Sequence, residues 1–563
     1  MSKPKFDIEK MKALTMQQLR DEFEQIPVLY DSSVIETEEI MVSMSDGIRL
    51  KTYITRPKNL PKGPVLFTRS CYPHNFETDM LKSHEFARRG LICVFQYCRG
   101  TGGSEGLWEP NVHERPDGID AINWLAAQDW AERIGYYGAS YLALTGWAWI
   151  DVAPEKVKGM YLSVYGTNRY ASAYNDGLFR QDILTAWAKG NAGVPISADH
   201  IESCKYMPQV KVDEELWGIT LPWYKEMISN TNYSDEYWQT GFWHTLRDIP
   251  SKVKIPIVFE EGWYDHHLGS ALSGYRTMTG IGLDKCLLRI GPWDHGKQTV
   301  LDGHTCKNAA SNQITDIYNF FKAVLLDQVE PESGVQLYVA GEDRWINEKN
   351  WPEPTEIKKL YFNAQDRALE SHIQDKATDC TFIYDPQNPV MSYGEESTFA
   401  SWGANGSRKM PKENYRDDVI SFVSEPLSKD LPIVGKINAD LYVSSDAEDT
   451  AFSIKIMEVF ENGDAYNIRS GITTLAYRGH TQNRQTYTPN QIVPVNVDTW
   501  DIAWTIKKGS RIRVDISSSN FPQYNIHSNY PGVWALQEKC KTAKQTIYSG
   551  KDHPSVLNIP VCR

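Results

Sequence analysis

The chain has 563 residues, 41% of them hydrophobic and 23% charged, with a formal net charge of -13. That length is too great for one hydrophobic core, so two or three domains are expected, and the composition is that of a globular chain rather than a disordered one. The acidic balance, with no Lys/Arg block to reverse it, argues against nucleic acid or an anionic membrane surface as the main partner.

The opening stretch "MSKPKFDIEKMKALTMQQLRDEF" has no apolar core of signal-peptide length, and no segment reaches 18 uninterrupted apolar residues. A soluble, cytoplasmic protein is therefore expected. Nine cysteines with no CxxC pair agree with a reducing compartment and read as structural thiols.

Residues 1–34 read as a helical arm. "EEIMVSMSDGIRLKTYITRP" is two alternating strands around a Ser-Asp-Gly turn, an antiparallel hairpin. "GPVLFTRSCY" and "GLICVFQYC" are short apolar runs, as in strands buried on both faces of a parallel sheet, and "ETDMLKSHEFARRG" between them has helical spacing. The alternation continues through "ERPDGIDAINWLAAQDWAE" (helix), "RIGYYGAS" (strand), "YLALTGWAWIDV" (helix) and "KVKGMYLSVYG" (strand). Strands alternating with helices define an α/β domain, placed at 35–167 and 251–350.

Between these two parts, residues 168–250 lose the strand rhythm and read as an inserted helical cap rich in Trp, Tyr and Phe. The sheet resumes with "KIPIVFEEGWYD" and "KCLLRIGPWDHG", and "ITDIYNFFKAVLLD" closes it with a helix. Pro352 and Pro354 mark a boundary. Residues 351–563 then alternate in short strands, which predicts an all-β domain of jelly-roll type.

Within "IGYYGASYLALTGWAWI", Ser140 falls at the corner between a strand and a helix, flanked by Gly138, Ala139 and Ala143. Small neighbours are what a strained nucleophile corner needs, and a helix start adds oriented N–H groups beside the hydroxyl. A serine alcohol also needs a base, and that base a carboxylate to hold its tautomer. His295 in "GPWDHG" and Asp265 in "EGWYDHH" both follow strands, on the sheet edge where Ser140 emerges. Asp294, adjacent to His295, is a rival acid, but a sequence neighbour on a loop points away from the imidazole. A metal site built from Asp265, His266, His267 and Asp294 is the competing reading, and it leaves the small-residue corner unexplained. The glycine-rich "YCRGTGGSEG" fits no phosphate-binding spacing and reads as a structural loop.

Taken together, "YCRGTGGSEG", "GYYGASYLALT", "EGWYDHH", "IGPWDHG" and "GEDRWINEKNWP" resemble the serine hydrolases grouped with cocaine esterase and X-prolyl dipeptidyl-peptidase. The likeness runs from about residue 35 to the end. It implies an α/β-hydrolase domain, a helical cap and a C-terminal jelly roll, with Ser140 as nucleophile, Asp265 as orienting acid and His295 as base. It further implies an oxyanion hole made by the Tyr72 hydroxyl and the backbone N–H of Tyr141. Two positions depart from the pattern. Cys98 stands where the family has an Asp before Arg-Gly, which would remove a loop-anchoring carboxylate. His266 and His267 stand where members acting on α-amino substrates carry acidic residues.

The expectation is a serine hydrolase that cleaves carboxylic esters, and amides less readily, through an acyl-enzyme, with no cofactor and no metal. Its partner is a small ester or a short acyl or peptide substrate. The cap's Trp187, Trp217 and Trp223 hint at an apolar acyl pocket, with His266 beside it. The alternatives are an X-prolyl dipeptidyl-peptidase or α-amino acid ester hydrolase, and, in a different class, a catalytically inactive binding protein.

Overall fold

The structure, a computed structural model, describes residues 8–283, 285–396 and 405–562, with backbone only at 8–12. Residues 1–7 of the expected arm lie outside the described residues; the arm's helix runs Ile8–Glu24 and packs Phe23 edge-on against Phe86.

The first sheet has ten strands: β1 Ile35–Ser43, β2 Arg49–Pro57, β3 Gly63–Ser70, β4 Ile92–Tyr97, β5 Ala131–Ala139, β6 Val157–Ser163, β7 Ile257–Tyr264, β8 Cys286–Asp294, β9 Gly334–Val339 and β10 Arg344–Glu348. Their spatial order is β1-β2-β4-β3-β5-β6-β7-β8-β9-β10. The strands from β4 to β9 run parallel, and antiparallel strands flank them on both sides.

Sequence explains this arrangement. Every residue of β3 and of β7 is buried, as expected for strands covered by helices on both faces. β1, by contrast, exposes Glu36, Glu38 and Glu39, charges that discourage a further strand from adding to this edge. Gly47, at φ 88°, turns β1 into β2 where the Ser-Asp-Gly signal predicts the hairpin.

Because β3, β5, β6, β7 and β8 are parallel and adjacent, their C-terminal ends share one edge of the sheet. The loops that follow them, carrying Tyr72, Ser140, Arg169, Asp265 and His295, meet there without any long-range coincidence.

The helical insertion differs from expectation at one place. After a short helix at Arg169–Ala173, the chain makes a hairpin of Tyr174–Asn175 against Leu178–Phe179 before the helix Gln181–Gly190 begins. The Asn-Asp-Gly turn is responsible: Asp176 and Gly177 sit at φ 43° and 82°, values that a helix cannot contain. The helix predicted over "YLALTGWAWIDV" is also shorter, Tyr141–Trp147, and continues as a 3-10 turn at Ile150–Val152 with Trp147 and Trp149 fully buried.

From Glu356 onward the regular elements of the described residues are β-strands, apart from two 3-10 turns at Leu475–Tyr477 and Trp534–Leu536. The long strand Leu431–Ser445 pairs along one side with Val493–Ile506 and along the other with Val556–Val561 and Ala543–Ser549. Val556–Val561 also pairs with Glu356–Asn363, so the sheet closes on itself. This β-rich part braces the edge of the first sheet on which the parallel strands end. The Tyr264 hydroxyl, one residue before Asp265, donates to the Ile468 carbonyl at 3.1 Å, and the Arg469 guanidinium lies over the Tyr264 ring at 5.2 Å. Arg469 and Arg180, from the insertion, both reach the buried Glu396 carboxylate, at 3.4 and 3.3 Å. Among the described residues no helix is long and apolar enough to cross a membrane.

Removing Glu396 would take the one paired carboxylate from two buried guanidinium groups at this three-way junction, leaving Arg469 its bond to the Asp501 carbonyl and Arg180 its aromatic contacts. Glu396→Ala is expected to destabilise the protein by about 3–5 kcal/mol, read as a lowered urea midpoint.

Candidate active site

Ser140 sits at φ 55° and ψ -126°, a backbone conformation that a residue with a side chain rarely adopts. Its N–H donates to the Ser163 carbonyl at 2.9 Å, and its own carbonyl accepts from Ala143 and Leu144 at the start of the following helix. These bonds over-determine the corner and hold the strain. Gly138 makes it sterically feasible, since a Cβ there would stand 2.3 Å from the Leu142 carbonyl oxygen.

The Ser140 hydroxyl lies 3.0 Å from Nε2 of His295, and Nδ1 of His295 lies 2.5 Å from Oδ2 of Asp265. With Nδ1–H donating to the carboxylate, Nε2 is left as the acceptor of the serine proton. Asp265 is fully buried, and its second oxygen accepts the His267 N–H at 2.5 Å, so both carboxylate oxygens are engaged. Burial pulls the His295 imidazole down, but the charge and hydrogen bond of Asp265 outweigh it, and the net displacement is upward from 6.5. Asp294, the rival acid, faces away: its Oδ1 accepts from the Gly296 and Gln298 N–H groups and its Oδ2 from Asn405.

Tyr72, in the loop after β3, and Tyr141, the first residue of the helix after Ser140, line the same cavity of about 160 Å³ as Ser140 and His295. Burial, and then the neighbouring Cys71, push the Tyr72 phenol well above its ordinary range, so it keeps a proton to donate. The Trp187 indole donates to the Tyr72 oxygen at 3.2 Å and leaves that proton free to point elsewhere. The Tyr141 N–H stands at a helix start and has no partner within the helix. Its side chain is anchored away from the cavity floor, donating to the buried Glu114 carboxylate at 2.5 Å and accepting from the Asn111 N–H at 2.9 Å.

The aromatic cap residues divide. Trp187 lines the cavity and stacks on Tyr141 at 5.9 Å. Trp223 does not line it, a correction to its expected place in the pocket: it lies behind Trp187, ring to ring at 5.5 Å, because its helix presents that face to Trp187 rather than to Ser140. Trp217 is core, donating to Ser203. His266 and His267 are both buried beside His295, and burial, then neighbouring positive groups, drives both imidazoles far below 6.5. They are neutral rings.

Two residues of the metal reading, Asp265 and His266, come together with His295 rather than with His267 and Asp294, their donor atoms lying within 4.8 Å of one another. Both nitrogens of His295 and both oxygens of Asp265 are already hydrogen-bonded, so a cation could enter only by breaking the Ser–His–Asp chain. Cys98 is buried, and Arg99 next to it ties the loop by two bonds to Asp117, at 3.1 and 2.6 Å, and a third to Asp46. Sequence reasoning missed Tyr165 and Arg169, which also line the cavity. Their position just past β6, on the edge shared by the other site loops, was the available signal.

A parallel sheet with a strained serine corner, a buried carboxylate and an imidazole between them defines a serine hydrolase. The residues 46–297 match the S15 X-Pro dipeptidyl-peptidase family, and 327–558 match the X-Pro dipeptidyl-peptidase C-terminal non-catalytic domain. A cocaine esterase from Rhodococcus sp. (strain MB1 Bresler) is 28% identical over 95% of this chain and 100% of its own length. Two solved structures share the fold, each with a TM-score of 0.80. An aminopeptidase from a marine sediment archaeon is 19% identical, covering 96% of this chain and 98% of its own. An α-amino acid ester hydrolase is 22% identical, covering 95% and 98%. Together the two family matches cover most of the chain, whose likeness is to the group of proteins that includes cocaine esterase and X-Pro dipeptidyl-peptidase.

Gly138→Val should overpack the corner and cost about 1–3 kcal/mol. Labelling of Ser140 by a fluorophosphonate should slow in parallel, which a time course on the folded variant would measure.

Proposed function

We propose that this protein hydrolyses carboxylic esters of small substrates through an acyl-enzyme on Ser140. The single observation that carries the proposal is the unbroken chain from the Ser140 hydroxyl through His295 to Asp265, at 3.0 and 2.5 Å. Ser140 Oγ attacks the ester carbonyl while His295 Nε2 takes its proton, and Asp265 stabilises the imidazolium. The Tyr72 hydroxyl and the Tyr141 N–H donate to the tetrahedral oxyanion. His295 returns the proton to the departing alcohol, and water deacylates the enzyme by the same steps in reverse.

Within this proposal the chain divides into an arm at 1–34, a catalytic domain at 35–167 and 251–350, a helical cap at 168–250, and a jelly roll at 351–563. The closed sheet beyond Glu356 supports the last assignment. Nine free thiols, six of them buried, support residence in a reducing cytosol.

The family description keeps a second reading in view, cleavage after an N-terminal dipeptide or of an α-amino acid ester. Either would require a carboxylate to hold the ammonium group. Glu261, near Asp265, is pushed well above the carboxylate range, first by burial and then by Asp265, and does not line the cavity. Glu260 is tied to Lys297 and Ser163. Esters are therefore favoured over free amines.

Ser140→Ala should fold normally and show neither a burst nor turnover on nitrophenyl acetate; wild-type rates in that variant would refute the mechanism. Asp265→Asn should lower kcat by about 10⁴ by favouring the wrong imidazole tautomer, and Tyr72→Phe by about 10²–10³. Since His295 must be neutral to accept a proton and its pKa is displaced upward, kcat/KM should rise with pH through a midpoint above 6.5. A rate profile across pH 5 to 9 (about two units either side of neutrality) tests this.

A further inference from the structure

Arg169 is 9% exposed and lines the same cavity as Ser140 and His295. Among the described residues its guanidinium makes no hydrogen bond to oxygen and no ion pair. Its direct contacts are the Met227 sulfur, 4.0 Å from one terminal nitrogen, and the Trp243 ring at 6.0 Å; Tyr165, Tyr237, His266 and His267 lie close enough to feel its charge, and Nε has no partner among the described residues. Of the other deeply buried arginines, Arg180 and Arg469 pair with Glu396, Arg513 with Asp515 and Arg89 with Glu85, while Arg69 has no ion pair but donates to the Gln96 amide oxygen and the Glu114 backbone carbonyl.

A buried, permanently charged group with neither a counter-ion nor an oxygen to donate to is costly, and a ligand that brings the missing charge would relieve that cost. The other groups around the cavity leave that role open. His266 and His267 are neutral, Tyr72 and Tyr165 keep their protons, and the Asp265 carboxylate is spent on His295 and His267.

Resting on the esterase reading above, we propose that the substrate carries a carboxylate that Arg169 receives inside the cavity, so that the enzyme prefers anionic esters to neutral or ammonium-bearing ones. A planar guanidinium with free N–H groups is shaped to hold a carboxylate through two parallel bonds. The carboxylate belongs either to the acyl chain, as in a monoester of a dicarboxylic acid, or to the alcohol. Hydrolysis in each case adds water across the ester and releases one acid and one alcohol.

The test compares kcat/KM within matched sets. Mono-nitrophenyl adipate is set against its methyl ester and against nitrophenyl 6-aminohexanoate, and 4-acetoxybenzoate is set against methyl 4-acetoxybenzoate. The anionic member of one set should exceed its neutral partner by roughly ten- to a hundredfold, the span of a charge-assisted hydrogen bond, and which set responds tells which side of the ester bears the charge. Arg169→Gln should collapse that ratio and Arg169→Lys should keep part of it. Equal rates for charged and neutral members in the wild-type enzyme, or a preference that survives in Arg169→Gln, would overturn the proposal. If Arg169→Gln does not fold, inhibition of the wild-type enzyme decides: free adipate should inhibit at least tenfold more tightly than adipamide, and equal inhibition would overturn the proposal. Failure of Ser140 to react with a fluorophosphonate would instead remove the esterase reading itself.

Discussion

The site depends on a strained backbone held in place. Ser140 keeps its hydroxyl raised above the sheet only because its φ of 55° is fixed from both sides, by Ser163 on the neighbouring strand and by the helix that starts one residue later. Strain of this kind persists where the surroundings over-determine it. Gly138 gives up its side chain to let strand and helix approach, and the same turn leaves the Tyr141 N–H at the start of the helix beside the serine. Nucleophile, backbone donor and helix start are thus one local structure.

Around that corner, the fold supplies the remaining groups by topology. Parallel strands must all end on the same edge, so loops separated by more than a hundred residues come together at no extra entropic cost beyond folding the sheet. The β-rich C-terminal part then stiffens this edge. Its Ile468 carbonyl and Arg469 guanidinium fix Tyr264, and Tyr264 precedes the carboxylate that orients the base. A second use of the β-rich part is electrostatic: Glu396 gathers arginines from the insertion and from its own sheet into one buried junction.

The electrostatics inside the cavity bear on the sign of the ligand it can hold. The two histidines after Asp265 are neutral, and the one permanent charge lining the cavity among the described residues is the Arg169 guanidinium. A cavity with that polarity repels an ammonium group and attracts a carboxylate. The Ser–His–Asp chain and the one charged group of the cavity are therefore carried by different loops, the first by those after β5, β7 and β8, the second by the one after β6.

Local pattern was enough to identify the alternating strands and helices, the Ser-Asp-Gly hairpin, the small residues around Ser140 and the two loops bearing Asp265 and His295, because hydrophobic period and turn chemistry are written in neighbouring residues. It was not enough for the Asn-Asp-Gly hairpin inside the cap, where a turn signal competed with helical spacing on both sides. Nor could it separate Trp187 from Trp223, since which face of a cap helix meets the cavity depends on how that helix packs. The partners of Arg99 and the solitude of Arg169 were equally out of reach: a side chain's ion pairs join residues far apart in the chain, and only the folded arrangement determines which charges meet and which one is left waiting.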